Sequence, residues 1–175
     1  MAGVTGEMVT GARVAGPAPI HRRLPGAVLF SCNLNRVRSP MAEGLMKLHF
    51  GDAVYVDSCG LHTGTRRDTM PPGPDPFAVA VMDELGVDLT RHRPKNFDDL
   101  EDTSFDVVIS LSPEAHHRAG ELARRRAIDV EYWPTLDPTL VTGQREQMLN
   151  AYRDVREALE KRLRARFGEV RTFGG

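Results

Sequence analysis

Ala27-Val28-Leu29-Phe30-Ser31-Cys32-Asn33-Leu34-Asn35-Arg36-Val37-Arg38-Ser39-Pro40-Met41 passes from an apolar run through a polar turn into a helical start. Residues 27–31 have strand length and the unbroken apolarity of a strand buried on both faces. Ser39-Pro40 predicts an N-cap followed by proline at the first helical position, where the missing N–H is harmless. Met41, Leu45 and Leu48 recur at i, i+4 and i+7, which predicts a buried stripe on a helix that stops at Gly51. A cysteine therefore closes a strand, and after five intervening residues an arginine and a serine open a helix.

The same alternation continues outward. A second strand is expected over 53–57, followed by a loop over 60–74 rich in glycine, proline and threonine. Asp75-Pro76 opens a second helix reaching about Gly86, with Phe77, Ala80, Val81 and Leu85 inward. Residues 105–111 form the most apolar strand, Ser112-Pro113-Glu114 caps a helix to about Arg126, and 128–133 reads as a fourth strand. The last helix, over 144–167, places Met148, Tyr152, Val155, Leu159 and Leu163 on one face. Strands alternating with helices imply βαβ crossovers and an α/β fold, a parallel sheet covered on both faces. Ligands of such sheets bind beyond the carboxyl ends of the strands, where Cys32 and Asp137 both fall.

With 175 residues and 41% hydrophobic content, the chain fits one domain, expected over 27–168. Residues 1–26 are rich in Gly, Ala and Pro and hold no apolar stretch of signal-peptide length, so they read as a flexible extension; 169–175 reads as a tail. The 23 basic and 24 acidic residues nearly cancel, leaving a net charge of -1, which provides no field toward nucleic acid or an anionic membrane. Two cysteines, Cys32 and Cys59, are too few for a secreted disulfide framework and suit a reducing compartment, the cytoplasm.

The turn from Cys32 to Ser39 has the parts of an oxyanion site. The backbone N–H groups of Asn33, Leu34, Asn35, Arg36 and Val37 can wrap a tetrahedral anion at a helix N-terminus. Arg38 closes the ring with a planar fork that holds two equatorial oxygens as charge builds on them. The same positive surroundings favour the thiolate of Cys32 over the thiol, whose free pKa is near ~8.5. Ser39 can donate its hydroxyl to that sulfur. A cysteine at a strand end is often only a small buried hydrophobe, but here it sits at the strand-to-helix turn that the chemistry needs. An ester's departing oxygen also needs a proton, and the carboxyl of Asp137, followed by Pro138, is placed to supply it. Asp-Pro is by itself a turn signal, and Asp75-Pro76 is read as a helix start alone. His116-His117 and Arg124-Arg125-Arg126 are read as solvated, the arginines also suiting a helix C-terminus. Nothing in the pattern calls for a metal or cofactor.

Val28 to Cys32, Arg38-Ser39-Pro40-Met41-Ala42-Glu43, Val56-Asp57-Ser58 and Trp133 to Pro138 together resemble the low-molecular-weight protein tyrosine phosphatase family, whose relatives include arsenate reductases. The resemblance spans about 27–167. It implies a three-layer fold on a four-stranded sheet in the order 2-1-3-4, and hydrolysis of phosphomonoesters, protein phosphotyrosine above all, through a cysteinyl-phosphate. It also implies that Asn35, Ser39, Ser58 and His92 brace the loop, and that phosphate, sulfate, vanadate or arsenate can occupy it. The implied protein is a monomer or weak homodimer. This chain departs from the pattern at Leu34, where the family has glycine, and at Val37, where a second cysteine is common. Thr139 and Leu140 replace aromatic residues, leaving tyrosine preference open, and Arg36 adds a charge that reads as solvated. Two other readings stay open: arsenate reduction with an external thiol, and a phosphate-binding module without turnover. Cys59, next to Ser58 on a strand, should face away from the loop and act as a structural residue.

Overall fold

The computed structural model describes residues 24–63, 73–101 and 104–168. The expected extension lies outside the described residues up to residue 23, as does the tail 169–175. β1 (Ala27–Cys32) is the inner strand that the opening motif predicts, with Val28, Leu29 and Phe30 fully buried. It pairs in parallel with β2 (Tyr55–Gly60) on one side and β3 (Val107–Ser110) on the other. β4 (Asp129–Tyr132) pairs with β3, giving the four-stranded parallel order β2-β1-β3-β4 expected of the family.

Alternating side chains divide the core between the two faces. Val28, Phe30, Val107 and Ile109 pack with α1 (Arg38–Phe50), α2 (Pro76–Asp83) and α4 (Arg145–Phe167). Leu29 and Val108 pack on the opposite face with Ala119 of α3 (Pro113–Ala123), Phe97 and Leu100. All four strands therefore end along one edge, and the loops after them meet there.

Several local expectations move by a residue or more. α1 begins at Arg38, and its cap position, Val37, makes no side-chain capping bond. Ser39 is not the cap, because its hydroxyl turns back toward Cys32. Pro40 still falls in the first turn, whose N–H groups lack helical partners. Leu48 is 48% exposed, and Met46 and Phe50 are buried instead, because α1 lies against both the sheet and α4 and buries a wide stripe. β2 starts at Tyr55 because Gly51–Ala53 form a 3-10 turn. α2 ends at Asp83 with Ala78, Val81 and Met82 buried, Phe77 and Ala80 only partly so, and Leu85 36% exposed. Phe105 and Leu111 are buried beyond the ends of β3, since burial does not require ladder pairing. α3 closes at Ala123, and Leu149 takes the place expected for Met148 on α4. His116 is half-buried, its ring stacked on Tyr132 at 5.0 Å, while His117 and Arg124 to Arg126 are exposed.

Candidate active site

Cys32, 3% exposed, ends β1, and its Sγ lies 3.0 Å from the Ser39 hydroxyl. An ionised sulfur only accepts, so in that state the hydroxyl proton points to it. The carbonyl of Cys59, 3.3 Å from the same hydroxyl, is the alternative acceptor when the sulfur is protonated.

Asn35 organises the turn. It is the one non-glycine with positive φ among the described residues, at 55°, a conformation that asparagine tolerates better than most side chains. Its Nδ2 donates to Ser39 Oγ and Ser58 Oγ, both at 2.9 Å, and its Oδ1 accepts from the Lys95 N–H at 3.0 Å. Its carbonyl lies 2.7 Å from Nε2 of His92. Burial holds the His92 ring below the ordinary histidine pKa, so the neutral ring donates from Nε2 to that carbonyl. Asn35, Ser39, Ser58 and His92 are thus brought together around the Cys32 turn. Because Asn35 takes the left-handed position, Leu34 keeps an ordinary negative φ and needs no glycine.

The floor of the turn is Gly60, at the end of β2. A Cβ there would lie 2.8 Å from Asn33 O and Asn35 N, and 2.9 Å from the Leu34 carbonyl carbon. The Gly60 N–H donates to Lys95 O at 2.8 Å, and Lys95 Nζ pairs with Asp57 at 2.6 Å. Sequence reasoning passed over both residues. The signal for Gly60 was a glycine closing an apolar strand segment, and glycine in a strand often marks close backbone approach; Lys95 left none.

Arg36 is not solvated. It is 5% exposed, and its Nε donates to Gly73 O at 2.8 Å. Its carbonyl accepts from the Asp75 N–H at 3.1 Å, which ties the turn to the start of α2. Asp75 caps α2 through Oδ1, as expected, and its Oδ2 also accepts from the Tyr152 hydroxyl at 3.0 Å. Burial and the Asp75 carboxylate push the Tyr152 hydroxyl well above its ordinary pKa, so it remains a donor.

Arg38, 7% exposed, donates from Nη1 to Thr135 O at 3.0 Å, and its Nη2 is 4.0 Å from Asp137 Oδ2. Asp137 precedes the 3-10 turn Pro138–Leu140, and its Oδ1 accepts from the Thr139 N–H and hydroxyl. The result is one cleft of about 270 Å³, lined by Cys32, Asn33, Leu34, Arg36, Val37 and Arg38 below and by His62, Asp75, Asp137 and Thr139 around the rim. Such a cleft can present a sulfur, a guanidinium and a carboxyl to one tetrahedral group. Cys59 is fully buried on the other face of the sheet, and burial pushes its thiol far above the ordinary range.

Comparison with known families matches residues 27–172 to the low molecular weight phosphotyrosine protein phosphatase family. An arsenate reductase of Bacillus licheniformis is 30% identical over 143 residues, covering 82% of this chain and 95% of that protein. A solved arsenate reductase in the phosphate binding state is 29% identical, with a TM-score of 0.63 over 79% of this chain and 94% of its own. A tyrosine phosphatase of Erwinia amylovora shares the fold at 18% identity, with a TM-score of 0.63 over 82% and 91% of the two chains.

Proposed function

Because the chain belongs to the low molecular weight phosphotyrosine protein phosphatase family, a family of cysteine-based enzymes, we propose that it hydrolyses phosphomonoesters, protein phosphotyrosine among them, through a cysteinyl-phosphate. Cys32 attacks phosphorus as thiolate, and the N–H groups of 33–38 with the Arg38 fork bind the equatorial oxygens as charge accumulates on them. Asp137 protonates the departing oxygen. As a carboxylate it then takes a proton from the water that attacks phosphorus, and Cys32 leaves with Ser39 stabilising its charge. Asn35, Ser58 and His92 hold the turn in shape. Free phosphate, sulfate, vanadate or arsenate would compete for the same loop. We place the protein in the cytoplasm, where Cys32 stays reduced; no helix among the described residues is long and apolar enough to cross a membrane.

The observation that carries this reading is that nucleophile, clamp and candidate acid share one cleft, with Sγ and the Ser39 hydroxyl 3.0 Å apart and Arg38 4.0 Å from Asp137. The arsenate reductase relative favours a second reading, in which Cys32 forms an adduct with arsenate and thiols supply the two electrons that reduce it. Cys59, the chain's other cysteine, is buried away from the cleft, so the further thiols would come from outside.

Two assays separate the readings: phosphate release from an aryl phosphate, and arsenite formation with thioredoxin, glutathione or mycothiol. Phosphate release that stops on alkylation of Cys32 is expected. Arsenite formation without hydrolysis would install the reductase in its place, and vanadate binding with neither activity would leave a phosphate-reading module.

A further inference from the structure

The two carboxylate oxygens of Asp137 have different surroundings. Oδ1 accepts from the Thr139 N–H at 3.0 Å and from the Thr139 hydroxyl at 2.6 Å, whereas Oδ2 faces Arg38 Nη2 at 4.0 Å. In a neutral carboxylic acid one oxygen is a carbonyl acceptor and the other carries the proton. An oxygen already facing two donors is the carbonyl, because a proton placed there would meet both of them. The geometry points to Thr139 as a positioning residue for the acid: its hydroxyl directs the Asp137 proton to Oδ2, the oxygen turned toward the cleft. Thr139 itself lines the cleft and is exposed, so its hydroxyl has no packing task in the core.

This inference rests on the phosphatase reading and refines its first step. As the sulfur–phosphorus bond forms and the ester P–O bond breaks, the proton passes from Oδ2 to the departing oxygen. Asp137, now a carboxylate, takes a proton from the attacking water as the sulfur–phosphorus bond breaks and Cys32 leaves as thiolate. Thr139 keeps its own proton throughout and donates to Oδ1 in both states, so it acts only through Asp137.

The chain contains the same turn a second time, away from the cleft. Asp88 Oδ1 accepts from the Thr90 N–H at 2.8 Å and from the Thr90 hydroxyl at 2.6 Å. These bonds hold the Asp88 carboxyl below the usual carboxylate range. An Asp-x-Thr turn is therefore a local device that this chain forms wherever the sequence permits. What distinguishes Asp137 is that its other oxygen faces the cleft and the buried Arg38, and Thr90 provides a matched control.

The test measures turnover of aryl phosphates whose phenols span a range of acidity, using Thr139→Val, Thr139→Ser and Thr90→Val, with Thr139→Val repeated in an Asp137→Asn background. Thr139→Val should slow the poorest leaving groups about 10-fold and the best by less than about 2-fold, a fraction of what a general acid supplies. Thr139→Ser should restore the rate, Thr90→Val should leave the leaving-group dependence unchanged, and Thr139→Val should add nothing once Asp137 is Asn. An equal loss on good and poor leaving groups, no loss at all, or a loss that persists beside Asp137→Asn would overturn the assignment while leaving the phosphatase reading intact. A wild-type protein inactive on every aryl phosphate would remove both.

Discussion

The turn over 32–39 and the segment over 133–141 share one sheet edge but are held in opposite ways. In the turn, Ser39 and Asn35 are fully buried, and the bracing bonds reach Ser58, His92 and Lys95, far away in sequence. In the segment, Leu136 is 85% and Leu140 79% exposed, and Asp137 is tied mainly to Thr139, two residues on. Long-range, buried bonds open only when the domain opens, whereas local, solvated ones open alone. The lesson is that the candidate nucleophile is built to be fixed, while the candidate acid is set by its immediate neighbours. Changes to the first should act as switches, and changes to the second should act in degrees.

The largest effect tests the fixed half. Cys32→Ser should bring phosphate release down to background, because the hydroxyl is far less nucleophilic than a thiolate. Vanadate titration of the same variant should still show binding, since the amide ring does not depend on sulfur. Loss of binding as well would mean that the sulfur holds the turn together, and the contrast between the two regions would fail.

Next in size comes the adjustable half. Asp137→Asn should slow esters of weakly acidic phenols by about 100-fold and esters of strongly acidic phenols much less, because only the former need a proton in the transition state. A uniform loss would place the damage in the fold.

The same contrast explains what was legible in the sequence. The turn is one contiguous run, so the meeting of Cys32, Arg38 and Ser39 at the end of β1 was readable from strand and spacing, although Ser39 is not the helix cap that Ser39-Pro40 suggested. Asp137 was readable because it follows the last strand, and the sheet's order followed from the family resemblance. The bracing was legible only where that resemblance supplied it. Gly60, Lys95 and the second role of Asp75 exist because distant segments meet, as in the contact of Lys95 with Asn35 and of Tyr152 with Asp75, and no local periodicity encodes such meetings. Arg36 was read as solvated because its acceptor, Gly73 O, lies 37 residues away in sequence. The shift from Met148 to Leu149 has a similar cause: one helix face is visible in a sequence, but the neighbours that choose its centre are not.

Gly60→Ala probes the turn from beneath. The added methyl would meet backbone atoms of the turn at 2.8 Å, and backbone cannot rotate aside as a side chain would. Such overpacking costs about 1–3 kcal/mol. The displaced amides should weaken vanadate binding and turnover together, by about 10-fold. Thermal melting alongside vanadate titration checks this. A stable variant with unchanged anion affinity would show that the turn does not rest on β2.

The smallest effect is a dependence on pH. Burial holds His92 below its unfolded pKa near ~6.5, so the folded protein refuses a proton that the unfolded chain accepts. The stability this contributes is present above the unfolded value and declines as pH falls through the folded one. The carboxylates held low, Glu84 by Arg153 and Asp88 by Thr90, lose their contributions only in stronger acid, below about pH 4. A melting series between about pH 7.5 and 5.5 avoids those carboxylates, and comparison with a variant of His92 separates this ring from the chain's five other histidines. His92→Gln, without a titrating ring, should melt lower than wild type at the upper end, because the bond to the Asn35 carbonyl is lost or strained. Its curve should be flatter, and the two should converge toward acid. Parallel curves would assign the acid sensitivity to another group and leave the Asn35 carbonyl braced by geometry alone.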